Sequence, residues 1–174
     1  MSDQPAIHAA AMLYSSQSAD EKALPRFVEA MKAKGYAVGG ILQEVIRDDN
    51  GVRLGVDAIA LDNGERFPIV RPSKEDIEAG ACGLNRSVLT ESSAILRRAI
   101  AKPVDLLVVE KFGESEQQGI GLADDILAAM ADGIPTLVAV PEAAKPIWEE
   151  FTGGLSTLLP AKLSALENWW DTLR

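Results

Sequence analysis

Glu110 and Lys111 close an apolar run, Leu106-Leu107-Val108-Val109, and lead into a loop carrying Phe112, Gly113, Glu114, Glu116, Gly119 and Gly121. An acid in that place holds magnesium through water in phosphoryl-transfer sheets, and a neighbouring lysine neutralises an anionic ligand. The glycines suit positive φ or close backbone approach better than direct contact. A second polar cluster, Ser15-Ser16-Gln17-Ser18, follows the apolar run Ile7 to Tyr14 and precedes Lys22. Backbone amides and hydroxyls at a strand-to-helix corner attract anions. The cluster nevertheless falls short of a triphosphate-binding loop: no glycine occurs from Ser15 to Glu21, and Ala23 follows Lys22 where a Ser or Thr would reach magnesium. Asp20 and Glu21 would repel a triphosphate, while suiting the positive end of a helix dipole. A polar loop before an ordinarily capped helix is the plain alternative, and acids such as Glu114 commonly decorate the loops of an acidic protein.

The remaining reactive side chains lack partners. One cysteine, Cys82, and one histidine, His8, cannot build a thiolate or imidazole metal cage, and one cysteine cannot make an internal disulfide. His8 reads as structural or surface, and Cys82 as a small buried residue with no base beside it. No nucleophile-base-acid set is visible. Trp169-Trp170 pack a last helix on the core, with one indole available for a homodimer contact.

Bulk properties narrow the classes. With 174 residues, 47% hydrophobic and 25% charged, the chain suits a single α/β domain, residues 1–174, with one well-buried core. A net charge of −9 without a Lys/Arg cluster argues against nucleic acid as a partner. No apolar run approaches the roughly 20 residues of a membrane span, and Met1 to Pro5 lack the basic start of a secretory leader. A cytoplasmic location is expected.

The elements that position these residues alternate. A strand within Ile7 to Tyr14 precedes a helix whose buried stripe is Leu24, Phe27, Val28 and Met31, with Ser18 and Glu21 as a capping box and Gly35 as the stop. Pro25 must lie near that helix's start. Asn50-Gly51 and Asn63-Gly64 between β-prone runs predict hairpins. Gln43 to Arg71 therefore reads as an antiparallel excursion after a second parallel strand, extending the sheet or leaning over the crevice as a flap. Pro72 to Gly83 is irregular, and Asn85 to Ile100 is a helix burying Val88, Ile95, Leu96 and Ala99. The strand ending at Glu110 follows. A helix from Leu122 to Ala131 buries Ile126, Leu127 and Met130, a strand runs from Thr136 to Val140, and Pro141 opens a further helix with Ile147, Trp148 and Phe151. A short strand, Leu155 to Leu159, precedes the helix of Leu163, Leu166, Trp170 and Leu173. This is a three-layer sandwich around a mainly parallel sheet with an inserted antiparallel hairpin region.

Three segments together, Gly35-Tyr36-Ala37-Val38-Gly39-Gly40-Ile41-Leu42-Gln43, Ala81-Cys82-Gly83-Leu84-Asn85 and Asp105-Leu106-Leu107-Val108-Val109-Glu110-Lys111-Phe112-Gly113, resemble an uncharacterised bacterial family, number 2478 among the domains of unknown function. The resemblance covers nearly the whole chain. It implies a fold like that of P-loop nucleoside triphosphatases, here with a degenerate Walker A loop, and some members are labelled as parts of molybdate transport systems. No established activity comes with it. Gln43, Cys82, Lys111, Phe112, Gly113, Glu116, Gly119 and Gly121 match the family's motifs. The family pattern more often has Asn where Glu110 stands, which counts against a magnesium role there.

The combined expectation is a domain that binds a nucleotide or small oxyanion, molybdate included, with little or no turnover. A magnesium-dependent nucleoside triphosphatase or phosphotransferase, and a regulatory or structural interaction protein, are the alternatives. The expected ligand residues are Ser15, Ser16, Gln17, Ser18, Lys22, Gln43, Glu110, Lys111, Gly113 and Glu116. Magnesium or a nucleotide is the cofactor this reading admits, and its partner is a small anion. It requires the corners after Tyr14 and Val109 to lie side by side at one rim of the sheet and to share a polar hollow.

Overall fold

Runs of Ala, Val and Leu form the strands, and amphipathic stretches between them form the helices that cover the sheet. The computed structural model describes residues 6–18, 20–70 and 87–173. In chain order the elements are β1 (Ala9–Tyr14), α1 (Ala23–Ala33), β2 (Val38–Arg47), β3 (Arg53–Ala60), β4 (Arg66–Val70), α2 (Ser87–Ala101) and β5 (Leu106–Glu110). There follow α3 (Glu114–Gln117), α4 (Ala123–Ala131), β6 (Thr136–Pro141), a 3-10 turn (Glu142–Ala144), α5 (Lys145–Phe151), β7 (Ser156–Pro160) and α6 (Leu163–Thr172).

Among the described residues, the strands form one seven-stranded sheet in the order β4-β3-β2-β5-β6-β1-β7. β2, β5, β6, β1 and β7 run parallel, and β3 and β4 add an antiparallel edge. Successive strand residues point to opposite faces. Ala9, Ala11, Leu107 and Val109 therefore meet α2, α4 and α5 on one face, while Ala10, Met12, Leu106 and Val108 meet α1 and α6 on the other. Covered on both sides, Leu106 to Val109 are wholly buried, which is why β5 reads as an unbroken apolar run.

β2 does two jobs. Val38 to Ile41 pair in parallel with Leu106 to Val109, and Ile41 to Arg47 pair antiparallel with β3. The hairpin excursion is thus continuous with the second parallel strand and extends the sheet. Both Asn-Gly turns form, with Gly51 and Gly64 at φ +79° and +77°. At Gly40, φ is +113° and a Cβ would overlap the Val108 carbonyl, so a side chain there would force β2 off β5.

α1 buries Leu24, Phe27, Val28 and Met31 as the periodicity requires, and Gly35 ends it at φ +89°. The capping box does not form: α1 starts at Ala23, placing Pro25 in its first turn, and the Ser18 hydroxyl accepts the Ser15 amide instead. In α4, Ile126 and Met130 are buried, but Leu127 is 39% exposed because it turns away from the sheet. Pro141 is followed by a 3-10 turn before α5, in which Trp148 is buried and Ile147 is exposed. Trp169 and Trp170 both pack into the α1 and α6 face. Among the expected features, Cys82, the irregular segment from Pro72 to Gly83 and the residues just ahead of Ser87 lie outside the described residues, as does the side chain of Val88.

Candidate functional site

All five parallel strands end at the same rim, and the corners that follow carry the candidate residues. The first corner folds on itself. The Ser15 amide donates to the Ser18 hydroxyl at 2.9 Å, the Gln17 amide donates to the Ser15 hydroxyl at 3.2 Å, and the Ser18 amide donates to the Ser15 carbonyl at 3.1 Å. The Lys22 amide donates to the Asp20 carboxylate at 3.1 Å. With these amides committed locally, the loop offers hydroxyl oxygens and the Gln17 carboxamide in place of a ring of bare amides. Ser16, Gln17 and Lys22 are exposed.

The second corner is anchored from below. Phe112 is fully buried and meets Trp148 edge to face at a centroid distance of 5.1 Å. Glu116 is buried, and its carboxylate accepts the Gly113 amide at 3.1 Å and the Leu122 amide at 3.2 Å. Glu116 thereby closes the loop from Gly113 to Leu122. Gly121, at φ +62°, lies so close that a Cβ would overlap the Glu116 carboxylate. Glu110 is half-buried at the end of β5, where it accepts the Gln43 amide at 2.8 Å; the Glu110–Lys111 peptide is cis. Lys111 is exposed beside it.

β6 lies between β1 and β5, so the two corners share a rim but are not side by side. This corrects the expected juxtaposition: the crossover from β5 returns through β6 before β1 is reached. The corners nonetheless share an electrostatic field. Burial pushes the Glu110 carboxyl above its ordinary range, against the pull of the Gln43 amide, Lys111 and Lys22. Tyr14, half-buried at the end of β1, has its phenol pushed up to about 12 by burial and then by Glu110. Burial likewise raises Glu116, opposed by the Leu122 and Gly113 amides and by Lys111.

Among the described residues, two hollows open at this rim. A small one of about 60 Å³ lies over β5 and is lined in part by Gln43, Ser92, Glu110, Lys111 and Glu116. It has room for a few waters or a hydrated ion. A larger one of about 560 Å³ lies over β1 and β7, between Ser15, Gln17 and Ser18 on one side and Pro160, Ala161 and Lys162 on the other. Lys145 and Glu142 complete its polar edge, and Leu13, Leu158 and Leu159 its floor. The expected residues thus divide: Ser15, Gln17 and Ser18 face the large hollow, while Gln43, Glu110, Lys111 and Glu116 face the small one. Gly113 shapes the backbone of the second corner. Among the described residues, no group of three or more His, Cys, Asp or Glu side chains could hold a metal ion.

Tyr14, Glu142, Lys145 and Lys162 were not singled out by sequence. The available signal was position: each stands at or just beyond the carboxyl end of a parallel strand. His8 is at the opposite rim, lining an apolar hollow of about 590 Å³ with Leu155 and Trp169. Among the described residues, no helix is long and apolar enough to cross a membrane.

The fold is similar to that of a human cancer-related nucleoside triphosphatase, at TM-score 0.68 and 16% identity over 95% of each chain. The P-loop-like sandwich expected from the resemblance is therefore the fold adopted. A molybdenum import ATP-binding protein, ModC 2, of Bradyrhizobium diazoefficiens is 38% identical over 92% of this chain and 18% of its own length. Nucleoside-triphosphatase THEP1 of Methanopyrus kandleri is 26% identical over 66% of this chain and 63% of its own. The chain therefore spans about a fifth of the first relative and less than two thirds of the second. The model of a family described as a protein of unknown function, DUF2478, matches residues 9–169, and this chain belongs to that family.

Proposed function

We propose that this chain is a ligand-binding domain of P-loop-like fold that takes a nucleotide or a small oxyanion at the carboxyl rim of its sheet, with little or no turnover. The two corners do not share one hollow, so the reading rests on the first corner alone, where a 560 Å³ hollow opens against Ser15, Gln17 and Ser18. Ligands of open parallel sheets bind beyond the carboxyl ends of the strands, and a hollow of several hundred Å³ is ligand-sized. Weak turnover follows from the loop chemistry. No glycine curls the backbone around a phosphate, Ala23 supplies no hydroxyl for magnesium, and the amides of Ser15 and Gln17 are already bonded. The Glu110 carboxylate is already engaged by the Gln43 amide, and burial raises its pKa against that pull, so it is less available to a metal than a solvent-facing carboxylate would be.

The names of two relatives set the ligands to try: nucleotides from the nucleoside-triphosphatase of M. kandleri, and molybdate from the molybdenum import protein of B. diazoefficiens. Thermal melting with ATP, GTP, phosphate, molybdate and tungstate, each with and without magnesium, is the test, because a ligand specific to the folded state raises the melting temperature by mass action. A rise with at least one of these anions, without phosphate release from ATP, is expected. Failure of every anion to shift the transition would refute the reading.

A magnesium-dependent nucleoside triphosphatase is the second reading, favoured by Lys22 lying within electrostatic reach of Glu110. Phosphate release from ATP that disappears in Glu110→Gln would establish it in place of the first.

A further inference from the structure

Resting on the ligand-binding reading above, we propose that Lys145 and Lys162 hold the phosphate of a nucleoside monophosphate whose organic part lies on the apolar floor of the large hollow. The cavity's size is the first ground. About 560 Å³ falls within the range of small-molecule sites, whereas a tetrahedral oxyanion would fill only a small part of it and leave the rest to water. The floor is the second. Leu13 and Leu158, from one face of the sheet, and Leu159, Pro160 and Ala161 at the end of β7 give the hollow apolar surface that a free oxyanion has no use for and that an organic group would cover.

The source of positive charge is the third ground. An anion at this corner would ordinarily be met by loop amides and by the lysine at the helix start. Here the Ser15 and Gln17 amides are taken by hydroxyls of their own loop, and Lys22 stands in the field of Glu110. The cations that border the large hollow are instead Lys145, which opens α5, and Lys162, which precedes α6. They reach it from the corners after β6 and after β7, which flank the first corner on either side, so a phosphate in the hollow lies between two ammonium groups.

Glu142 borders the same hollow and sets the length of the anion. Its carboxylate offsets part of the lysines' charge and suits a hydroxyl or amine donor on the ligand, such as a ribose hydroxyl. Asp20 and Glu21 on the first corner and the net charge of −9 oppose a long polyphosphate further. Two ammonium groups against one carboxylate leave a net charge of about +1, so one phosphate already exceeds it and each further phosphate would widen the excess.

Isothermal titration at low salt tests the proposal, with AMP, GMP, ATP, inorganic phosphate and molybdate against the native protein, Lys145→Ala/Lys162→Ala, Lys145→Arg/Lys162→Arg and Lys22→Ala. Circular dichroism melts confirm that each variant is folded, which is expected because all three lysines are exposed. At least one monophosphate should bind about tenfold or more tightly than phosphate or molybdate, and the double alanine variant should lose about that factor, the cost of one to two kcal/mol of charge contact. The arginine pair should retain most of the affinity, and Lys22→Ala should lower it less than the double alanine change does. ATP binding more tightly than both monophosphates would overturn the single-phosphate assignment, and oxyanions binding as tightly as nucleotides would overturn the ligand class. Nucleotide binding that survives the double alanine change but is lost with Lys22→Ala would overturn the site while leaving the ligand-binding function intact. No binding by any of the five would overturn both.

Discussion

The backbone amide of Gln43 donates a 2.8 Å hydrogen bond to the Glu110 carboxylate, tying the strand that becomes the hairpin to the acid at the end of the central strand. Because β2 pairs with β5 only through Ile41, this bond continues the contact beyond the last ladder pair. Glu110 therefore contributes to the sheet's stability as well as lining the rim.

Replacing Glu110 by Ala removes the acceptor and leaves a part-buried N–H unpaired, at a cost of about 1–3 kcal/mol. Glu110→Gln keeps an oxygen for the amide and should lie closer to the native protein. Urea midpoints of the two variants at neutral pH check the order.

The same group predicts a pH dependence. Burial raises the folded-state pKa of Glu110 and of Glu116 above the ordinary 4.5, so the folded chain holds protons that the unfolded chain releases. The stability these carboxyls contribute is fully present below the unfolded value and is lost as pH rises through the folded one. Glu110→Gln removes one such group, so its urea midpoint should fall less than that of the native protein between pH 4.5 and neutrality.

Tyr14 reports on the same field. In Tyr36→Phe, where Tyr14 is the remaining tyrosine, phenolate absorbance should rise only near pH 12 while the protein stays folded by circular dichroism. Adding Glu110→Gln should bring the titration down partway, because burial is the larger cause of the shift and Glu110 the smaller. A titration unmoved by that change would disprove the electrostatic link between the corners.

Gly40 and Gly121 separate backbone conformation from close approach. Gly40→Ala meets the Val108 carbonyl and should cost about 2–4 kcal/mol, as other severe backbone clashes do. Gly121→Ala displaces the Glu116 carboxylate and should loosen the loop it closes, at about 1–3 kcal/mol. Gly64→Ala, with a positive φ but open space around it, should cost only about 1–2 kcal/mol. Urea unfolding of the three variants gives the ranking.

Phe112 holds the second corner down. Phe112→Ala empties a fully buried site against Trp148 and Phe151, and should cost about 3–5 kcal/mol, visible in chemical unfolding and in tryptophan fluorescence.

By itself the sequence determined the elements and their order. The apolar run of β5, the helical stripe of Leu24, Phe27, Val28 and Met31, and the two Asn-Gly turns are local patterns whose period or turn chemistry admits few alternatives. The polar rim was legible for the same reason, since Ser15 to Ser18 and Glu110 follow recognisable strand ends. Tertiary structure decided which of these residues share a space. Insertion of β6 between β1 and β5 divides the expected hollow in two, because strand order depends on crossover connections that no local pattern encodes. It likewise carries Lys145 and Lys162, distant in sequence from Ser15, to the same cavity. The use of the Glu116 carboxylate as a loop closure is a tertiary outcome too: an acid's role depends on whether backbone amides or solvent surround it, and only packing sets that.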